Sequence, residues 1–155
     1  MIIRDFMKRN VFYVHKNATI FDAAEIVVNR HIGLLPVLDD AERLIGVVGL
    51  KDLLTLEMPA FFDLISDVDF VHDFGAVETS HPSQEQLMQP VTSIMQPATS
   101  VEENCGLLRA YALMLKRNLH DLPVVSSTGK LVGIASRVDI GTAILATWKN
   151  IKDAQ

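Results

Sequence analysis

Two stretches of the chain carry the same order of apolar and polar positions. LPVLDDAERLIGVVGLKDL (residues 35–53) and LPVVSSTGKLVGIASRVDI (residues 122–140) align without a gap. Leu35, Pro36, Val37, Leu44, Gly46 and Asp52 recur as Leu122, Pro123, Val124, Leu131, Gly133 and Asp139, each 87 positions further on. A short apolar run, a polar stretch and a second apolar run predict two buried strands joined by a turn. DDAER and SSTGK have the Asp, Ser and Gly content of turns. Pro near the start of a strand is tolerated because the missing N–H costs little there. A helix is predicted to follow each return strand, from KDLLTL and from VDIGTAILATW.

The correspondence extends upstream. DFM at residues 5–7 parallels SIM at residues 93–95, and VFYV and TSV read as short extended pieces. Between these and the paired strands, each copy has a helical pattern. Thr19 is a candidate cap for the first helix, with Ile20, Ala23, Ala24, Val27 and Val28 as its apolar stripe. In the second copy, Leu107, Leu108, Tyr111, Met114 and Leu115 form the stripe of a helix over about residues 106–117. Each copy therefore predicts β-α-β-β-α. Repeat one covers about residues 4–56, repeat two about 90–147, and a tail 148–155 follows. Neither copy buries its sheet face alone, so the two are expected to pack face to face in an α+β (α/β) fold of two small mixed sheets with outer helices. Residues 57–89 belong to neither copy. They are acidic, carry Phe61, Phe62, Phe70 and Phe74, and end in the polar, loop-like ETSHPSQEQ.

Composition narrows the functions. Of 155 residues, 49% are hydrophobic and 21% charged, as in globular proteins. The net charge of −5 and the lack of a basic cluster disfavour a nucleic-acid partner. No apolar run reaches the roughly 18 residues of a membrane span. MIIRDFMKRN lacks the apolar core of a signal peptide. One cysteine, Cys105, cannot form an internal disulfide, and these features together suggest a reducing cytoplasm. Cys105 reads as a packed thiol beside a helix start rather than a nucleophile. His15, His31, His72, His81 and His120 show no metal-ligand spacing, so no metal is expected. No phosphate loop, nucleophile elbow or marked acid/base pair is present. The chain is not expected to be an enzyme or to require a cofactor.

The order h-x-x-h-L-P-V-V, turn, h-h-G-h-h-[ST]-x-x-D-h, present twice, resembles the cystathionine β-synthase (CBS) domain. The resemblance covers about three-quarters of the chain. It implies a pseudo-two-fold pair with two clefts between the repeats, frequent dimerisation through helices, and regulation of another protein. It also implies adenosine-containing ligands such as AMP, ADP, ATP or S-adenosylmethionine. In the family the last Asp of the motif holds the ribose hydroxyls, and the Ser or Thr three residues earlier helps place the nucleotide. A carboxylate can accept from both hydroxyls of a cis-diol. Without a ligand, an Asp at a helix start is also a cap.

Repeat two keeps this pattern at Ile134, Ser136, Arg137 and Asp139. His120 stands where some nucleotide-sensing members have a phosphate contact, followed by Asp121, which opposes a phosphate. Arg137 is either a compensating cation or a solvated surface residue. Met7, Phe12, Ile32 and Gly33 of repeat one are expected to wall this cleft, or to be ordinary core. The second, weaker cleft keeps Asp52 and Lys51 but has Gly49 in place of the hydroxyl residue and Gly33 in place of His120.

Two readings follow. One is a stand-alone regulatory module that binds an adenosine compound and signals to an effector protein by conformational change. The other is a ligand-free dimerisation and docking protein that uses the acidic central insert. Leu53, Leu54 and Leu56, with Ile144, Leu145 and Trp148, predict self-association as a homodimer; Trp148 is expected to pack on a neighbour.

Overall fold

A computed structural model describes residues 1–57 and 81–149. Phe61, Phe62, Phe70, Phe74 and His72 lie outside the described residues, as does most of the acidic insert.

Repeat one comprises β1 (Val14–His15), α1 (Ile20–Arg30), β2 (Leu34–Leu38), β3 (Leu44–Gly49) and α2 (Leu50–Thr55). The short helix α3 (Gln84–Leu87) precedes repeat two. Repeat two comprises β4 (Val101–Glu102), α4 (Leu107–Lys116), β5 (Asp121–Val125), β6 (Leu131–Ser136) and α5 (Arg137–Ala146). Each repeat forms a three-stranded mixed sheet. β1 pairs parallel with β2, which pairs antiparallel with β3, and β4, β5 and β6 repeat that order. The registers correspond too: Val37 faces Gly46, and Val124 faces Gly133. Pro36 and Pro123 sit in the central strands, before the positions where β1 and β4 begin to pair.

The helix starts follow local chemistry. The Thr19 hydroxyl accepts the Asp22 N–H at 3.1 Å, and the Asp22 carboxylate accepts the Thr19 N–H at 2.9 Å. This reciprocal box satisfies two of the free donors at the start of α1. Ser83 and Gln86 build the same box on α3, inside the stretch expected to be a loop. The Ser-x-x-Gln spacing is the signal that polar composition concealed.

Three helix positions differ from the expected stripes. Leu107, Ala110 and Met114 are buried on α4, whereas Leu108 and Leu115 face outward. On α1, Val27 is buried and Val28 is exposed. A short helix covering one small sheet presents a face only about one residue wide per turn, so the outer apolar positions have nothing to cover them.

The lead-in segments are exchanged between the repeats. Ile3 and Met7, before β1, pack in the core of repeat two with Leu107, Met114, Leu122 and Ile140. Val91, Ile94 and Met95, before β4, pack in the core of repeat one with Val14, Leu35, Val37 and Val48. Backbone bonds fix both crossings. The Lys8 N–H donates to the Ile134 carbonyl at 2.8 Å and the Ile134 N–H to Lys8 at 3.0 Å; Gln96 and Val47 exchange two bonds of 2.9 Å. Each lead-in thus adds a short bridge to the outer edge of the other repeat's sheet.

The hairpin turns also meet. The Leu44 N–H donates to the Gly129 carbonyl at 3.0 Å, and the Leu131 N–H to the Glu42 carbonyl at 3.4 Å. Glu42 and Gly129 both have positive φ, 61° and 82°. Gly suits that conformation without cost, whereas Glu adopts it under strain held by the surrounding turn.

Candidate ligand clefts between the repeats

Two clefts lie where the repeats face each other. The smaller, of about 370 Å³, falls in the range of roughly 300–1,000 Å³ common to small-molecule sites. Phe12, Ile32, Gly33 and Leu34 line it from repeat one, and Asp121 and Ile134 from repeat two, with Lys8 and His31 at its polar side. The larger, of about 780 Å³, is lined by Gly49, Lys51, Asp52 and Thr55 from repeat one and Asn118, His120 and Asp121 from repeat two. Ile32 and Gly33 in one cleft correspond to Leu119 and His120 in the other, 87 positions later. Gly33, Leu34 and Asp121 belong to both, so the clefts adjoin.

Asp139 stands beside the smaller cleft, not on its wall. Its Oδ2 accepts the Ser136 N–H at 2.9 Å, while the Asp139 N–H donates to the Ser136 hydroxyl at 3.1 Å. Oδ2 also lies 3.6 Å from Nζ of Lys8, which lines the cleft. Ser136 and Asp139 are therefore a capping box for α5. That leaves Oδ1 with no hydrogen bond to any described residue, so capping and recognition of a diol are compatible. Asp52 repeats the geometry, with Oδ2 accepting the Gly49 N–H at 2.7 Å. There the cap has no side chain, and the hydroxyl supplied by Ser136 has no counterpart.

Three expected residues are placed differently. Met7 is buried in the core of repeat two, against Gly133, and is not on the cleft wall. The cause is the exchange of lead-in segments, which carries Met7 behind β6. Arg137 neither reaches the cleft nor lies free on the surface. Its guanidinium donates to the Leu119 and Met114 carbonyls and to the Asn118 side chain, closing the C-terminal end of α4. The last carbonyls of a helix have no partners within it, and a guanidinium satisfies several at once. His120 opens into the larger cleft with Lys51 and Asp52, not the one beside Asp139. Alternation along the strand start sends its neighbour Asp121 to the junction. Phe12, Ile32, Gly33 and Ile134 line the smaller cleft, and Lys51 and Asp52 the larger. Lys8 was not anticipated. Its motif neighbours carried no signal, and only the bridge to Ile134 brings it to Asp139.

Burial raises the Asp121 carboxyl above its ordinary value, opposed by the positive charge of Lys8 and His120 and reinforced by Asp139. The sign of the linkage is definite. A folded-state pKa above the unfolded one means that stability is fullest below the unfolded value and falls as pH rises through the folded one. Asp121→Asn is therefore expected to be more stable than wild type at neutral pH. The gain is of the order of 0.5 kcal/mol after solvent screening of a half-exposed group, and should vanish toward acid pH. Denaturant unfolding at both pH values checks this, and a less stable variant at neutral pH would refute it.

Two copies of one β-α-β-β-α unit, with exchanged lead-ins and a cleft on each side of their junction, define a tandem-repeat module. The chain belongs to the CBS domain family, whose pattern matches residues 3–58 and 91–146. It is similar to the CBS domain-containing protein CBSX2, chloroplastic, of Arabidopsis thaliana, at 31% identity over 92% of this chain and 63% of that protein. The Arabidopsis protein CBSX1, chloroplastic, is likewise 31% identical over 92% and 64%. The chain thus spans a little under two thirds of these relatives' length. A crystal structure of CBSX2 in complex with AMP superposes with a TM-score of 0.71 at 28% identity, covering 94% of this chain and 97% of that one. The CBS domain pair of protein MJ0100, in complex with 5′-methylthioadenosine and S-adenosylmethionine, shares the fold at 20% identity and a TM-score of 0.68, covering 95% and 98%. Among the described residues no helix is long and apolar enough to cross a membrane, and no group of three potential metal ligands occurs.

Proposed function

We propose that this chain is a non-catalytic regulatory module that binds an adenosine-containing ligand between its repeats and passes a conformational change to an effector protein. The observation that carries the reading is the pair of adjoining inter-repeat clefts, each beside a helix-capping carboxylate with one free oxygen. The AMP complex of CBSX2 supports the ligand class. In the smaller cleft, Asp139 holds the ribose, Ser136 fixes its orientation through the cap, and Phe12, Ile32, Gly33 and Ile134 enclose the base. The larger cleft, with Asp52 and Lys51, is the weaker site because Gly49 brings no hydroxyl. Ligand binding acts by favouring one relative arrangement of the repeats; equal affinity for two arrangements would shift nothing. A reducing compartment such as the cytoplasm suits the single buried thiol, Cys105. The test is thermal unfolding of wild type, Asp139→Ala and Asp139→Asn against adenosine compounds. Loss of ligand-dependent stabilisation in both variants supports the assignment, and no stabilisation of wild type would favour docking through the central insert.

Self-association is part of the proposal. Phe21 and Val28 on α1 and Leu108 and Leu115 on α4 are exposed apolar pairs at corresponding positions, and Leu54, Leu145 and Trp148 are exposed as well. Leu53 and Ile144 instead turn inward, and Trp148 belongs to neither core cluster of the described residues. So much exposed apolar surface on helices suits burial against a second copy. Sedimentation is expected to show a homodimer at micromolar concentration and a monomer for Leu108→Glu combined with Leu115→Glu. A clean wild-type monomer would rule the dimer out.

A further inference from the structure

We propose that Asp121 makes the smaller cleft selective for adenosine ligands whose 5′ substituent is uncharged or cationic, over those with a phosphate chain. The inference rests on the adenosine-cleft reading and narrows its ligand class.

Asp121 lines the cleft opposite Phe12 and Gly33, and no described side chain hydrogen-bonds to its carboxylate. Lys8 is the lysine on the same wall, and its Nζ already stands 3.6 Å from the Asp139 carboxylate. Arg137, the nearest guanidinium in sequence to the capping box, is consumed by the carbonyls at the end of α4. Lys8 is shared with Asp139, His31 lies on the lining and the Arg30 guanidinium stacks on the Phe12 ring at 4.6 Å, whereas Asp121 has no ion-pair partner among the described residues, so a phosphate entering on its side meets an unpaired carboxylate. A thioether tail avoids the repulsion, and a sulfonium tail gains an ion pair. The corresponding position in the other repeat is Leu34, so the carboxylate is a feature of one repeat and not of the fold. Lys51 lines the larger cleft, and His120 opens there too, offsetting the Asp121 charge only in part.

The experiment is isothermal titration at neutral pH of wild type, Asp121→Asn and Asp139→Ala with 5′-methylthioadenosine, S-adenosylmethionine, AMP and ATP. Wild type is expected to prefer the two sulfur compounds over ATP by about tenfold or more, since like charges brought together in a cleft repel strongly. Asp121→Asn should tighten AMP and ATP by about tenfold, weaken S-adenosylmethionine, and move 5′-methylthioadenosine by less than about twofold. Equal wild-type affinity for AMP and 5′-methylthioadenosine, or nucleotide affinity unchanged in Asp121→Asn, overturns the selectivity. In that case abolished binding in Asp139→Ala still upholds the cleft itself. Binding of full wild-type affinity and stoichiometry in Asp139→Ala, or no binding of any of the four compounds, overturns both.

Discussion

Gly133→Ala is expected to destabilise the protein by about 1–3 kcal/mol, the usual cost of forcing an extra methyl into a packed core. A Cβ at Gly133 would run into Sδ and Cγ of Met7 and approach the Lys8 carbonyl at 3.0 Å. Both neighbours come from the lead-in of repeat one, before β1, so the penalty reports a contact between repeats. Met7→Ala alone is expected to cost about 2–5 kcal/mol, because Met7 fills the core of repeat two and leaves a cavity. Combined, the two changes should cost less than their sum, the new methyl occupying space vacated by the methionine. The pseudo-equivalent pair repeats the geometry: a Cβ at Gly46 would meet Met95 and the Gln96 carbonyl at 2.9 Å. Met95→Ala should therefore rescue Gly46→Ala in the same partial way. Denaturant unfolding of the two cycles reads the coupling directly. Simple additivity in the Met7–Gly133 cycle would mean that the lead-ins are not exchanged in solution.

The second large effect concerns ligand-dependent stability. An adenosine ligand at a hundred times its dissociation constant should stabilise wild type by about 2.7 kcal/mol. For a chain of this size that raises Tm by about 5–10 °C. Asp139 has two tasks, so its removal has two consequences. Asp139→Ala loses the acceptor of the Ser136 N–H at the start of α5 and should cost about 0.5–2 kcal/mol without any ligand. It should also lose the ligand-induced rise. Asp139→Asn keeps one carbonyl oxygen for the Ser136 N–H and so most of the unliganded stability. It gives up the second acceptor and the charge that suit a cis-diol. The contrast isolates binding from capping. If Asp139→Asn shows the full wild-type rise, Asp139 serves α5 alone. If Asp52→Asn instead removes the rise, the larger cleft is the occupied one.

The strand pairs, the turns, the capped start of α1 and the equivalence of the two repeats were all legible in the linear pattern. Each depends on residues close together in the chain, and apolar alternation with turn chemistry encodes them directly. The same holds for the Ser136–Asp139 spacing, which forms the capping box of α5. The long-range assignments fared unevenly. Phe12, Ile32, Gly33 and Ile134 meet in one cleft because corresponding strand starts face each other across the pseudo-two-fold. Met7, Arg137 and His120 do not join them. Their positions depend on a lead-in that crosses to the other repeat, on unsatisfied carbonyls at the end of α4, and on which side of a cleft wall a strand residue points. No local pattern records those three facts. Lys8 was invisible for the same reason. Its neighbours in sequence are unremarkable, and only the pairing of its backbone with Ile134 sets its charge beside Asp139. The sequence by itself determined the elements, their duplication and the family. The tertiary structure alone decided which charges share a cleft, because that depends on the chain crossing between repeats, where contacts are distant in sequence and bear no periodic signature.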